Sequence, residues 1–158
     1  GAHESAGRLD QAIALYEQTL ADSLRILGPD HPDTLTSRNN LAGAHESAGR
    51  LDQAIPLYEQ TLADRLRILG PDHPDTLTSR NNLAGAHESA GRLDQAIALY
   101  EQTLADSLRI LGPDHPDTKI FRNNLASAYQ AAGRSEDATA LFDPPPDSGA
   151  ADADRPDE

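Results

Sequence analysis

The chain has no cysteine, methionine, tryptophan or valine among its 158 residues, and only one lysine, Lys119. Without cysteine there is no disulfide, no thiolate nucleophile and no Cys-based zinc site. That suits a reducing compartment, and a cytoplasmic location is the expectation. The missing valine and an aromatic content of 4% leave little from which to build a sheet. No apolar run approaches the roughly 18 residues of a membrane span, and no signal-peptide pattern opens the sequence. The net charge is −13. Phosphate affinity comes from Lys and Arg displacing counterions, so a nucleic-acid partner is not expected.

What is present is a repeat. Residues 1–42 and 43–84 differ at two positions only, Ala14 against Pro56 and Ser23 against Arg65. Residues 85–126 follow the same text, except that Leu77-Thr78-Ser79 becomes Lys119-Ile120-Phe121. A decayed fourth copy starts at Ser127. Composition alone touches the disorder boundary; a strict period of helical units overrules it.

Each unit carries two helical patterns. In the longer, B, apolar residues fall at Leu51, Ile55, Tyr58, Leu62, Leu66 and Leu69, one stripe of an amphipathic helix. Gly70-Pro71 stops it. Pro74 suits the first position of the shorter helix, A, with Asp75 favourable beside the N-terminus. The A face that should be buried reads Thr76, Arg80, Leu83, His87, Ala90. The expected helices are a stub at 1–6, then 9–27, 33–48, 51–69, 75–90, 93–111, 117–132 and a short 135–142. Pro56 should distort helix 51–69 locally without splitting it. Neither stripe can be buried by one unit, so the units must stack into an all-α solenoid of antiparallel helix pairs.

The His-Glu pairs at 3–4, 45–46 and 87–88 resemble the start of a metalloprotease H-E-x-x-H motif. The motif fails, because Gly49 stands where the second His is needed. His45 lies on the stripe that faces helix B and reads as a core residue. Glu46 is about 100° around the helix and cannot share its partner. His31, His73 and His115 sit in Asp-His-Pro-Asp loops; Asp and His together could bind a metal, but the loops read better as helix starts. No phosphate loop, nucleophile elbow or Ser/His/Asp constellation appears. No enzyme activity and no cofactor are expected.

Ala42, His45, Gly49, Ala54 and Tyr58 stand at the small, aromatic, Gly, Ala and Tyr offsets of the tetratricopeptide repeat. The 42-residue spacing, the LGPDHPDT loop and NNLA resemble the kinesin-light-chain-like subclass, common also in bacterial signalling proteins. The resemblance covers 1–142 and implies a right-handed α-α superhelix and a protein-interaction role. Two features depart from the pattern. Arg38, Arg80 and Arg122 occupy a slot where the family often has Trp or Leu, and His fills the aromatic slot until Tyr129.

With Leu41 pointing to the core and about 100° per residue, Thr36, Asn39, Asn40, Gly43, Glu46 and Ser47 point away from it. The next unit gives Thr78, Asn81, Asn82, Gly85, Glu88 and Ser89; the last gives Ile120, Asn123, Asn124, Ser127 and Gln130. The resemblance places these on a concave face and implies that the Asn residues hold the main chain of a peptide. An amide offers both donor and acceptor, which suits an extended peptide. The Glu46 and Glu88 edge favours a neutral or basic one. The alternative is that the Asn residues satisfy only local backbone or each other. The chain would then be a spacer, or the regulatory arm of a larger signalling protein.

Residue 1 falls inside an A helix. The expectation is a C-terminal piece of a longer array, open to end-to-end self-association through the helix 9–27. At the other end, residues 143–158 hold six acids and Arg155 and a Pro cluster, and read as a disordered tail.

Overall fold

A computed structural model of the chain describes residues 2–143. It contains α1 (Ala2–Leu27), α2 (Pro32–Ser47), α3 (Leu51–Leu69), α4 (Pro74–Ser89), α5 (Leu93–Ile110), α6 (Pro116–Ala131) and α7 (Ser135–Ala140), with no strand among the described residues. α2, α4 and α6 are the A helices. α1, α3 and α5 are the B helices, and α7 is a B helix cut to 6 residues. The Pro-rich segment from 144 onward lies outside the described residues.

The A helices begin at the proline, one residue earlier than the stripe suggests, because the preceding histidine is the cap. Nδ1 of His31, His73 and His115 accepts the backbone N–H of Asp33, Asp75 and Asp117 at 3.2, 3.1 and 3.1 Å. One of the helix's unpaired donors is thereby satisfied. At the far end Gly49 takes φ +72. Arg50 N–H donates to the His45 carbonyl at 2.8 Å, and Gly49 N–H to that of Glu46 at 2.9 Å. This doubly bonded reversal is a Schellman motif, and only glycine takes the left-handed position without strain. It recurs at Gly91-Arg92 and Gly133-Arg134. At the last of these the Arg134 guanidinium lies 4.4 Å from the centre of the Tyr129 ring.

The first unit differs. The same ten residues that turn at 44–53 run straight through at 2–11, so the expected stub and helix 9–27 are one helix, α1. Among the described helices α1 packs against α2, and none lies ahead of it to receive a folded-back stripe. Nothing offsets the helix bonds a turn would break, while Gly inside a helix costs only about 1 kcal/mol. Pro56 is exposed and α3 continues over it unbroken.

Each helix packs against its neighbours in sequence. The A helices are sandwiched between B helices, so α4 buries Thr76, Leu77, Ser79, Arg80, Leu83, Ala84, Ala86 and His87. Ala90, expected in that face, is its half-buried C-cap. Leu35 and Leu77 are deeply buried. Their counterpart Lys119 is exposed, because the B helix that would cover it ends at Ala140.

Of the arginines in the Trp-or-Leu slot, Arg38 and Arg80 are inside and Arg122 is half-buried. Arg38 and Arg80 are 4% exposed. Arg38 Nη1 donates to Asp64 Oδ2 at 2.6 Å, and Arg80 Nη1 to Asp106 Oδ2 at 2.7 Å. Arg67 extends the first pair, lying 3.3 Å from Asp64 and 2.6 Å from Asp30. Arg109 does the same with Asp106 and Asp72. Each chain of charges ties a B helix to the A helix before it and to the loop before that.

Candidate partner-binding surface

The site candidates lie on the A helices. Successive A helices meet through side chains: Asn82 Nδ2 donates to Asn39 Oδ1 at 3.2 Å, Asn124 Nδ2 to Asn81 Oδ1 at 3.0 Å, and Ser89 Oγ to Glu46 Oε1 at 3.2 Å. These contacts join Asn39, Asn81, Asn82, Asn124 and Glu46, five of the candidates, across successive A helices.

The Asn ladder is thus paired across repeats. Each pair keeps free valences, since one amide can make four hydrogen bonds. Asn40 and Asn123 are the exposed ends of the ladder, while Asn39, Asn81, Asn82 and Asn124 are half-buried. Thr36, Thr78 and Gln130 are exposed, and the Thr78 hydroxyl donates back to the Pro74 carbonyl at 3.1 Å. Ile120, at 52% exposure, gives the last A helix an apolar patch that its siblings lack.

The acid edge is already engaged. Tyr58 donates its hydroxyl to Glu46 Oε2 at 2.9 Å, and Tyr100 to Glu88 Oε2 at 3.0 Å. Burial first, then the carboxylate charge, pushes both phenols far above their ordinary range. Tyr129 is pushed up to about 12 by burial and by Glu101, whose Oε1 it meets at 2.5 Å. Glu46 and Glu88 therefore brace helices as well as charging the face. A Cβ added at Gly43 would stand 3.4 Å from the Tyr58 hydroxyl, in ordinary van der Waals contact.

At the first unit this face opens into a cleft of about 410 Å³. Leu9, Ala12 and Tyr16 form one wall, and Asn39, Asn40, Gly43 and Ser47 the other, with Tyr58 at the end. Amides, a hydroxyl and phenol rings over an apolar floor can hold a peptide main chain and one side chain.

The core histidines are as expected. His45 and His87 are 6% and 7% exposed, and Nδ1 of each has no partner. Among the described residues no three His, Asp or Glu gather to hold a metal, and no helix is long and apolar enough to cross a membrane. Three features escaped sequence reading: the histidine caps, the carboxylates beneath Arg38 and Arg80, and the Tyr–Glu braces. The signal was there for one of them. An arginine on a buried stripe needs an acceptor, a carboxylate being the strongest, and Asp64 and Asp106 stand at the same spacing from Arg38 and Arg80.

The tetratricopeptide repeat family matches residues 1–66, 39–107 and 81–143. A solved structure of a Podosopora anserina protein of kinesin light chain type, with nearly identical TPR-like repeats, is 33% identical with a TM-score of 0.78. The match covers 89% of this chain and 66% of that one. A variant of the same Podosopora anserina protein gives 32% and 0.78. BtubC (BKLC) from P. vanneervenii is 26% identical with a TM-score of 0.76, over 86% of this chain and 54% of that one. The chain thus spans between half and two thirds of these relatives. No curated protein sequence matches it. Repeats of this family generally mediate protein–protein interactions, and such scaffolds are typically non-catalytic. The chain belongs to the tetratricopeptide repeat family, as an all-α repeat superhelix of the kinesin-light-chain-like kind.

Proposed function

We propose that the array is a non-catalytic scaffold that binds a protein or an extended peptide on the inner, A-helix face. The observation that carries this reading is the cleft beside Asn40 and Ser47. Polar groups with free valences line it, and paired amides continue away from it along the face. Thr36, Asn39, Asn40, Glu46, Thr78, Asn81, Asn82, Glu88, Asn123, Asn124 and Gln130 are the contact set. Within it Asn40, Asn123 and Gln130 are free to meet a ligand without breaking the ladder, whereas Asn39 and Asn81 also hold the repeats together. The engaged carboxylates leave the preference for a neutral or basic partner resting on overall charge.

The second reading is a spacer or self-associating arm. The exposed apolar residues of α1 favour it: Leu15 is 65% exposed and Ile26 66%, while in the next unit Leu57 is half-buried and Ile68 38% exposed. Pull-down with the chain, compared with the triple variant Asn40→Ala, Ser47→Ala, Asn123→Ala, separates the two. A protein held by the first bait and lost from the second, at equal helicity by circular dichroism, supports the face. Equal retention rejects it. Light scattering that finds dimers or higher species with no other protein retained leaves the spacer.

A further inference from the structure

The copies are close to interchangeable, and two of the five positions that differ among the first three form a pair. Position 23 of the first unit is Ser23, then Arg65, then Ser107. Position 37 is Ser37, then Ser79, then Phe121. These two positions touch in the first two B-to-A pairs and stand at the same register in the third. Ser23 Oγ and Ser37 Oγ are 3.4 Å apart. Arg65 Nη1 donates to Ser79 Oγ at 2.7 Å and to the Asp75 carbonyl at 3.2 Å. In the third pair Ser107 is fully buried, Phe121 is 4% exposed, and the Thr118 hydroxyl reaches the Ser107 carbonyl at 3.5 Å. The three slots hold small with small, large with small, and small with large. None holds two large side chains.

We propose that this slot is a pairing key, which makes α3 and α6 mutually exclusive partners. The loops give no such discrimination, since Leu69-Gly70-Pro71-Asp72-His73-Pro74-Asp75-Thr76 and its counterpart 111–118 have the same text. A chain that looped out residues 70–111 and docked α6 on α3 would offer the same loop sequence and keep the His115 cap. It would also force Arg65 against Phe121. The slot would be overpacked, and the buried guanidinium would lose the Ser79 acceptor. Near-identical repeats are prone to such misassembly. A size and polarity mismatch at one buried position selects against it.

The key is tested in the full chain with Arg65→Ser, Ser79→Phe and the double variant, by thermal and denaturant unfolding. Arg65→Ser restores the arrangement of the first unit and should melt near the parent. Ser79→Phe alone should fall by about 10 °C or fail to fold. Adding Arg65→Ser, which creates the small-with-large arrangement of the third unit, should recover most of the loss. The coupling should be about tenfold or more in the unfolding constant. Ser107→Arg should be damaging alone and tolerated together with Phe121→Ser. If Ser79→Phe does not fold, folding of the double variant is itself the rescue. A harmless Ser79→Phe, or a double variant no better than Ser79→Phe alone, overturns the proposal.

Discussion

Replacing His87 with Tyr should stabilise the array, and more so in acid. His87 is 7% exposed and its Nδ1 is buried without a partner. The fourth copy shows the remedy: Tyr129 fills the same slot and donates to Glu101. Glu59 stands 42 residues before Glu101, and its charge already acts on His87. An orphaned buried polar atom costs about 1–3 kcal/mol and a hydrogen bond to a carboxylate contributes about 1.5–3, less the cost of burying the hydroxyl. A net gain of about 2 kcal/mol is expected at pH 7. For an ordered array of this size that is roughly 6 °C in melting temperature. The pH dependence has a definite sign. Burial first, then Arg92, lowers the His87 pKa from its ordinary 6.5, against a smaller opposite effect of Glu59. The unfolded chain therefore takes up the proton first. Protonation of His87 adds no further penalty above the ordinary imidazole range, and stability is lost as pH falls from about 6.5 towards the folded value. Tyr removes that loss, so the gain should be larger at pH 5 than at pH 7, read by circular dichroism melts at both. No gain at pH 7, or an equal gain at both, would refute the reasoning.

Three further outcomes are expected. Arg38→Ala removes the buried guanidinium and leaves half-buried Asp64 with Arg67 alone; it should cost up to about 3 kcal/mol by denaturant unfolding, whereas an apolar pair, Arg38→Leu with Asp64→Leu, should cost less. His73→Ala removes a helix cap worth about 1 kcal/mol, and His73→Asp, whose carboxylate can make the same bond, should retain the parent melting temperature. Phenol absorbance followed to high pH should show late-titrating tyrosines. Tyr58→Phe and Tyr100→Phe should each delete one, and Glu46→Gln should bring Tyr58 towards the ordinary range.

The fold was legible because a 42-residue period with two apolar stripes admits one solution, mutual burial by stacking. Helix ends were legible wherever Gly or Pro punctuates, at Gly70-Pro71 and Pro74. The placement of Asn39, Asn40 and Glu46 away from the core also followed from the stripe. What they touch did not, because contacts between repeats depend on the rise and twist of the stack, which no single period encodes. Asn82 reaching Asn39 and Tyr58 reaching Glu46 are of this kind. The histidine caps were hidden for another reason. Ser, Thr, Asp and Asn dominate that position, so Pro74 and Asp75 drew the attention that belonged to His73.

The decapeptide Ala-His-Glu-Ser-Ala-Gly-Arg-Leu-Asp-Gln is helix at 2–11 and helix, reversal, helix at 44–53 and 86–95. Its local code is therefore undecided, and neighbours decide it. Gly49 turns where two helices can close on each other, while Gly7 stays straight. Folding of the array thus has a grammar of junctions: a reversal is written only when the helix before it has somewhere to dock. Each hairpin forms together with its packing, which is how short helices that would be marginal alone become cooperative in series.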